Sequence, residues 1–211
     1  MDLVRGYQDR GLNREKIPWC SAVLTGINIL VFAACHFWGR QFYDAGCFSV
    51  AYLLRGREYY RLISAMFLHV DIGHLMNNMI LLYFGGEIVE KTIGRGRYLL
   101  VFLFSGICGN FLSAAYELST GGFYDSVGAS GAVFGLVGGL LYLAVTRKGR
   151  AAQISIQRMI LMIALSLYSG FQNVMVNNAA HLGGLISGFL LTFLLCHVGK
   201  IPGKGTGGTV R

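Results

Sequence analysis

ASGAVFGLVGGLLYLAV, residues 129–145, holds no charged side chain in seventeen positions, and four of those positions are glycine. A stretch this apolar is unsuited to a surface that faces water. Gly131, Gly135 and Gly139 recur every fourth residue, the small-xxx-small pattern that lets membrane helices approach closely. A helix needs about 17–25 residues to cross the hydrocarbon core. The stretch sits at the short limit, so it is expected to be a helix surrounded by other helices.

Five further apolar stretches flank it, at about 18–38, 74–89, 98–116, 154–171 and 178–197. The second contains Asn77, Asn78 and Glu87. Such polar groups are expensive in lipid and are expected to face protein or a water-filled cavity. Of the 211 residues, 54% are hydrophobic and only 13% charged, against about 25% charged in soluble domains. The mean hydropathy is +0.54. The fold expected is therefore all-α, a polytopic membrane protein of six transmembrane helices. Its divisions are a cytoplasmic N-terminal tail at 1–17, a six-span domain at 18–197 and a flexible C-terminal tail at 198–211, rich in Gly and Thr. No cleavable signal peptide is visible, so the first apolar run is expected to be a retained span.

The net charge of +8 would point to nucleic acid in a soluble protein. Here the basic residues lie between apolar runs, which favours membrane lipids over nucleic acid as the partner. Arg5, Arg10, Arg14 and Lys16 precede the first run. Lys91, Arg95 and Arg97 follow the second, Arg147, Lys148 and Arg150 the fourth, and Lys200, Lys204 and Arg211 the sixth. Six spans put these clusters on one side, so both termini are predicted to be cytoplasmic. A bacterial plasma membrane is the expected location, since no organelle transit signature is visible. Only the first connection, with Arg40, Arg55, Arg57 and Arg61, departs from the pattern. It mixes those arginines with Phe42, Tyr43, Phe48, Tyr52, Tyr59 and Tyr60, a composition suited to a loop lying in the membrane interface. The five cysteines form no CxxC pair, and neither a disulfide framework nor a zinc site is expected.

Polar residues at membrane depth carry the chemistry. Ser130 lies within Gly128-Ala129-Ser130-Gly131. Small neighbours let another backbone approach its hydroxyl and leave local N–H groups uncrowded, as an oxyanion hole needs. His181 lies within Ala180-His181-Leu182-Gly183-Gly184, with Gly188 four residues after Gly184. Pressing the Gly184/Gly188 face onto the Gly131/Gly135 face would bring His181 to Ser130, and a serine hydroxyl needs such a base. Either residue alone reads as ordinary packing, and the pair is the informative feature. His69, His74 and Asn78 form the next set. His74 and Asn78 are four apart and share a helix face, where both can donate to a developing oxyanion. This set is poor in zinc ligands, so no metal is expected, and nothing calls for a cofactor. Glu87 and Glu90 are read as structural charges at the cytoplasmic end of the second stretch.

These residues resemble the rhomboid family of intramembrane serine proteases. The resemblance runs from about Pro18 to His197 and rests on Tyr60-Arg61, His69-x4-His74-x3-Asn78, Gly128-Ala129-Ser130-Gly131 and Ala180-His181-x2-Gly184-x3-Gly188. It implies the family's basic six-span form and a Ser–His dyad without an aspartate, Ser130 being the nucleophile and His181 the base. The oxyanion would be held by the Ser130 N–H, His74 and Asn78. Phe134 would stack on the base, His69 would support the site, residues 169–177 would cap it, and the fifth span would be a lateral gate. The family usually has Trp-Arg where this chain has Tyr60-Arg61. No seventh span or extra cytoplasmic domain is visible. The substrates implied are single-span membrane proteins with helix-destabilising residues near the cut and a small side chain before it. The rival readings are a catalytically silent rhomboid-fold protein that binds transmembrane helices, and a small transporter. The oligomeric state and the physiological substrate are not legible.

Overall fold

Nine α-helices occur among the described residues, 17–172 and 176–198 of the computed structural model. The predicted tails lie outside them, apart from Ile17 and Val198, and so does the 173–175 part of the predicted cap. The helices are α1 (Trp19–Trp38), α2 (Arg40–Gly46), α3 (Arg61–Ser64), α4 (Ile72–Ile80), α5 (Gly86–Ile93), α6 (Arg95–Thr120), α7 (Ser130–Val145), α8 (Ile156–Gln172) and α9 (Asn178–Val198). Helices α1, α6 and α9 are long and apolar enough to cross a membrane. They expose apolar side chains outward, Leu30 at 71% and Leu190 at 52%, while serine, asparagine and glutamate are buried. This inverted surface is that of a helical membrane bundle.

Each helix boundary has a local cause. Asp71 caps α4, its carboxylate accepting the His74 N–H at 2.8 Å. Helices α4 and α5 are joined without a break by a π-helical segment, Leu81–Gly85. Gly94, at φ +88°, turns the chain into α6, and Gly121, at φ +71°, ends it. The first turn of α1 has no side-chain cap of its own. Its Cys20 and Ser21 N–H groups instead donate to the carboxylate of Glu90 on α5, at 3.1 and 2.8 Å, and the Ser21 hydroxyl adds a bond of 2.9 Å. Glu90 is thus buried in the bundle rather than standing free at its surface, and an anion at a helix N-terminus is favourable.

At about 1.5 Å per residue α7 falls short of the hydrocarbon thickness. The bundle compensates by enclosing it. Every residue from Gly131 to Leu140 is buried, and α7 packs between α6 and α9. The seam between α7 and α9 is made of glycine. A Cβ on Gly184 would strike the Gly131 carbonyl, and one on Gly188 the Gly135 carbonyl. The two small-residue faces therefore meet, as their spacing predicts. Helix α8 is the opposite case, with only Met159 and Gly170 buried.

The first connection is folded around one guanidinium. Arg61 is buried; its Nε donates to Glu58 at 2.6 Å and its Nη1 to the carbonyls of Asp44 and Cys47, both at 2.8 Å. Its charged carbon lies 4.0 Å from the Tyr52 ring centroid, within cation–π range. Tyr60 is exposed, and its one hydroxyl hydrogen is shared between the Glu58 carboxylate and the Ala45 carbonyl, at 2.9 and 3.0 Å.

Candidate active site

Ser130 opens α7, and the loop before it presents the hydroxyl. Gly128 adopts φ +127°, a conformation that L side chains rarely take. Its N–H donates to the Ala65 carbonyl at 2.9 Å, which ties the loop to the folded first connection. A Cβ at Gly128 would lie 2.7 Å from both Cε1 and Nε2 of His74 and 3.6 Å from Ser130 Oγ. His74 and Ser130 thus flank the same bare backbone, and only glycine leaves the space between them open.

His181 enters from α9. Its ring lies flat on Phe134, with centroids 4.3 Å apart and planes within 6°. Phe134 is one turn below Ser130 on α7, so the stack brings the imidazole to the helix face that carries the hydroxyl. A Cβ at Gly131 would lie 3.4 Å from the Ala180 carbonyl, so the residues that follow Ser130 and precede His181 face each other with room for little more than a methyl. His181 is buried, and its Nδ1 has no hydrogen-bond partner among the described residues. No hydrogen bond joins Ser130 to His181 in this structure. Catalytic contacts of this kind are often long in a free enzyme and tighten with substrate.

The remaining predicted residues surround this pair. His74 is half-buried, with the buried His69 edge-on to its ring at 5.0 Å and 64°. Asn78 is buried one turn below, and its Nδ2 donates to the His74 carbonyl at 3.0 Å. That bond takes one of the two amide hydrogens and leaves the other for an acceptor in the site. The structure thus draws Gly128, Ser130, His74 and His69 together on one side and Gly131, Phe134 and His181 on the other, with Asn78 beneath His74. Glu87 stands apart, paired with Lys91 and, at 3.8 Å, with Arg150.

Sequence reasoning missed two polar residues. Glu117 on α6 accepts from the Val50 N–H at 3.1 Å and the Ser49 and Ser113 hydroxyls at 3.3 Å. Asn177 caps α9, its Oδ1 accepting the Ala180 N–H at 2.9 Å. An Asn just before an apolar run is a capping signal, but the bonds of Glu117 to Ser49 and Val50 and of Asn177 to Ser113 and Ser126 join positions far apart in the chain and left no local trace.

Known proteins resemble this chain in sequence. The family model described as the rhomboid domain matches residues 56–198. The chain is 37% identical over 137 residues to rhomboid protease GluP of Bacillus subtilis (strain 168), covering 65% of this chain and 26% of that protein. It is 39% identical over 153 residues to RHOMBOID-like protein 4 of Arabidopsis thaliana, covering 71% of this chain and 37% of that protein. RHOMBOID-like protein 1 of the same plant is 36% identical over 151 residues, covering 71% and 38%. The chain thus spans less than two fifths of the length of each of these three relatives.

Proposed function

This chain belongs to the rhomboid family, and on that premise we propose that it is an intramembrane serine endopeptidase that cuts transmembrane segments of single-span membrane proteins by a Ser130–His181 dyad. The observation that carries the reading is the flat stack of His181 on Phe134, which brings a buried imidazole to the Ser130 face of α7. Among the described residues Nδ1 is enclosed without a partner, which leaves Nε2 as the nitrogen to exchange the proton with Ser130.

A transmembrane helix hides its peptide bonds in hydrogen bonds and side chains. The substrate must therefore unwind locally before its carbonyl meets Ser130. Ser130 Oγ attacks that carbonyl as His181 Nε2 takes the hydroxyl proton. The tetrahedral oxyanion is held by the Ser130 N–H, the His74 ring and the free hydrogen of the Asn78 amide. His181 then protonates the leaving nitrogen, the C–N bond breaks, and water releases the acyl group by the same steps in reverse roles. Helix α8, with only two buried residues, is the element best suited to move aside for an entering helix.

The test is cleavage of a single-span substrate with Gly or Pro in its membrane segment by purified protein in detergent. Wild type is expected to give a product that Ser130→Ala and His181→Ala both abolish. A wild type inert on several such substrates, yet retaining them in pull-down, would replace this reading with that of a silent helix-binding protein.

A further inference from the structure

We infer that Asn177 is a positioning residue, a polar tie that sets the helix of His181 against the loop that delivers Ser130; the inference rests on the dyad proposed above. All of the amide's hydrogen-bonding hydrogens are in use. Its Nδ2 donates to Ser126 Oγ at 2.9 Å and to Ser113 Oγ at 2.6 Å, while its Oδ1 accepts the Ala180 N–H. A planar amide bound at three points has no rotation left. The partners explain why this matters. Ser126 lies four residues before Ser130, and Asn177 four residues before His181, whose N–H donates to the Asn177 carbonyl at 3.1 Å. The two catalytic elements are joined by the Asn177 side chain and by the close backbone approach of Gly184 to the Gly131 carbonyl.

The tie is itself held. Ser126 exchanges two backbone hydrogen bonds with Phe48, at 2.9 and 2.6 Å. Ser113 donates onward to Glu117, which grips Ser49 and Val50 next to Phe48. The path from Asn177 through Ser126, Phe48, Ser49, Glu117 and Ser113 closes on itself. It links the first connection, α6, the loop before α7 and the start of α9. A displacement on the order of 1 Å in a catalytic group can cost ~10²-fold in rate, which makes such a ring consequential for turnover.

A plain helix cap would account for the Ala180 bond alone, and a variant separates the two roles. Asn177→Ser keeps a good capping oxygen but loses both donated hydrogens. Its melting midpoint is expected to stay near wild type. Its kcat on a single-span substrate is expected to fall about 10- to 100-fold with KM nearly unchanged, and the rate at which a fluorophosphonate modifies Ser130 to fall in parallel. Ser126→Ala leaves the cap intact and is expected to reproduce the loss. The double variant is expected to be no worse than Asn177→Ser alone, because that change already removes the bond to Ser126. Should Asn177→Ser fail to fold, Ser126→Ala carries the test alone. Wild-type kcat in Ser126→Ala, or losses that multiply in the double variant, would overturn the inference while leaving the dyad standing. A wild type that neither cleaves nor reacts with the probe would remove the dyad, and the positioning role with it.

Discussion

At Gly128 one hydrogen atom separates two groups that the proposed chemistry needs. Any β-carbon there would meet the His74 ring at 2.7 Å, and the positive φ penalises it further. Gly128→Ala is expected to fold, because the colliding partner is a side chain, but to push His74 out of reach. Losing one oxyanion donor costs about 10²–10³ in kcat, and that drop is expected in Gly128→Ala and His74→Ala alike. A Gly128→Ala enzyme cleaving at the wild-type rate would remove His74 from the mechanism. Glu58 supports a prediction of another kind. It lies in the first connection, and hydrogen bonds from Arg61 and then Tyr60 hold its carboxyl below the ordinary range. A depressed folded pKa stabilises the fold above the unfolded value, about 4.3, and the benefit disappears as pH falls through the folded value. Melting midpoints measured from neutral to acid pH are expected to decline less steeply for Glu58→Gln than for wild type below about pH 4.3. Parallel declines would refute this. Much of the candidate site was legible at this scale. Ser130, His181, His74 and Asn78 are polar residues in apolar stretches, where polarity is costly and demands a reason. Asn177, Glu90 and Glu117 were not legible in the same way. They sit at helix ends, where polar residues are common, and their partners lie 64 to 70 positions away in the bonds from Asn177 to Ser113 and from Cys20 to Glu90.

Between elements, the seam of α7 and α9 governs whether the proposed dyad can form, and its tolerance for volume is near zero. A Cβ on Gly188 meets the Gly135 backbone, which cannot rotate away as a side chain can. Gly188→Ala is expected to destabilise the protein by about 1–3 kcal/mol, the usual cost of overpacking, and to lower kcat by separating His181 from α7. Gly26 on α1 is the control, since nothing lies within 4 Å of a Cβ there. Gly26→Ala is expected to be neutral or to stabilise by about 0.5–1 kcal/mol through helix propensity. Equal effects of the two substitutions on thermal or denaturant unfolding would count against the seam. The α7–α9 contact was readable from glycine spacing alone, because only glycine at four-residue intervals on two helices permits backbone contact. The continuation of the second stretch to residue 93 through a π-helical segment was less so. Its last residues, Glu90, Lys91 and Thr92, are polar, and hydropathy alone ends the run early. The short helices of the first connection were also hidden, because they are organised by Arg61 reaching back 14 and 17 positions, not by a local period.

Across the whole molecule, orientation in the membrane follows from which ends of the helices share the basic residues. Among the described residues, the fold gathers those that follow α5 and α7 at one end. Glu90 joins the start of α1 to the α5–α6 junction, where Arg95 approaches it at 3.7 Å. Arg150, after α7, reaches Glu87, and a Cβ on neighbouring Gly149 would lie 2.8 Å from Thr92 Oγ1. Lys148 lies over the Tyr142 ring, which also meets Phe193 near the end of α9. The opposite end holds the polar ring of Asn177, Ser126 and Glu117, and the 121–129 connection there has no Lys or Arg. If basic segments are retained on the cytoplasmic side, the dyad opens toward the outer face, where water must enter. Reporter fusions decide the matter. A reporter active only outside the cytoplasm is expected to work after Thr120 and to fail after Arg150 or Val198, with a cytoplasmic reporter giving the converse. The reverse pattern would place the Ser130 cavity on the cytoplasmic side and refute the orientation. The four arginines of the first connection are the exception, and the structure explains one of them. Arg61 is neutralised by Glu58 and buried among carbonyls, and Arg40 is paired with Asp44 at 3.3 Å. Arg40 and Asp44 are both exposed and acidic partners contribute little to the rule, so Arg40, Arg55 and Arg57 are the charges that stand against it. Substituting all three by glutamine is therefore expected to strengthen the same orientation rather than reverse it.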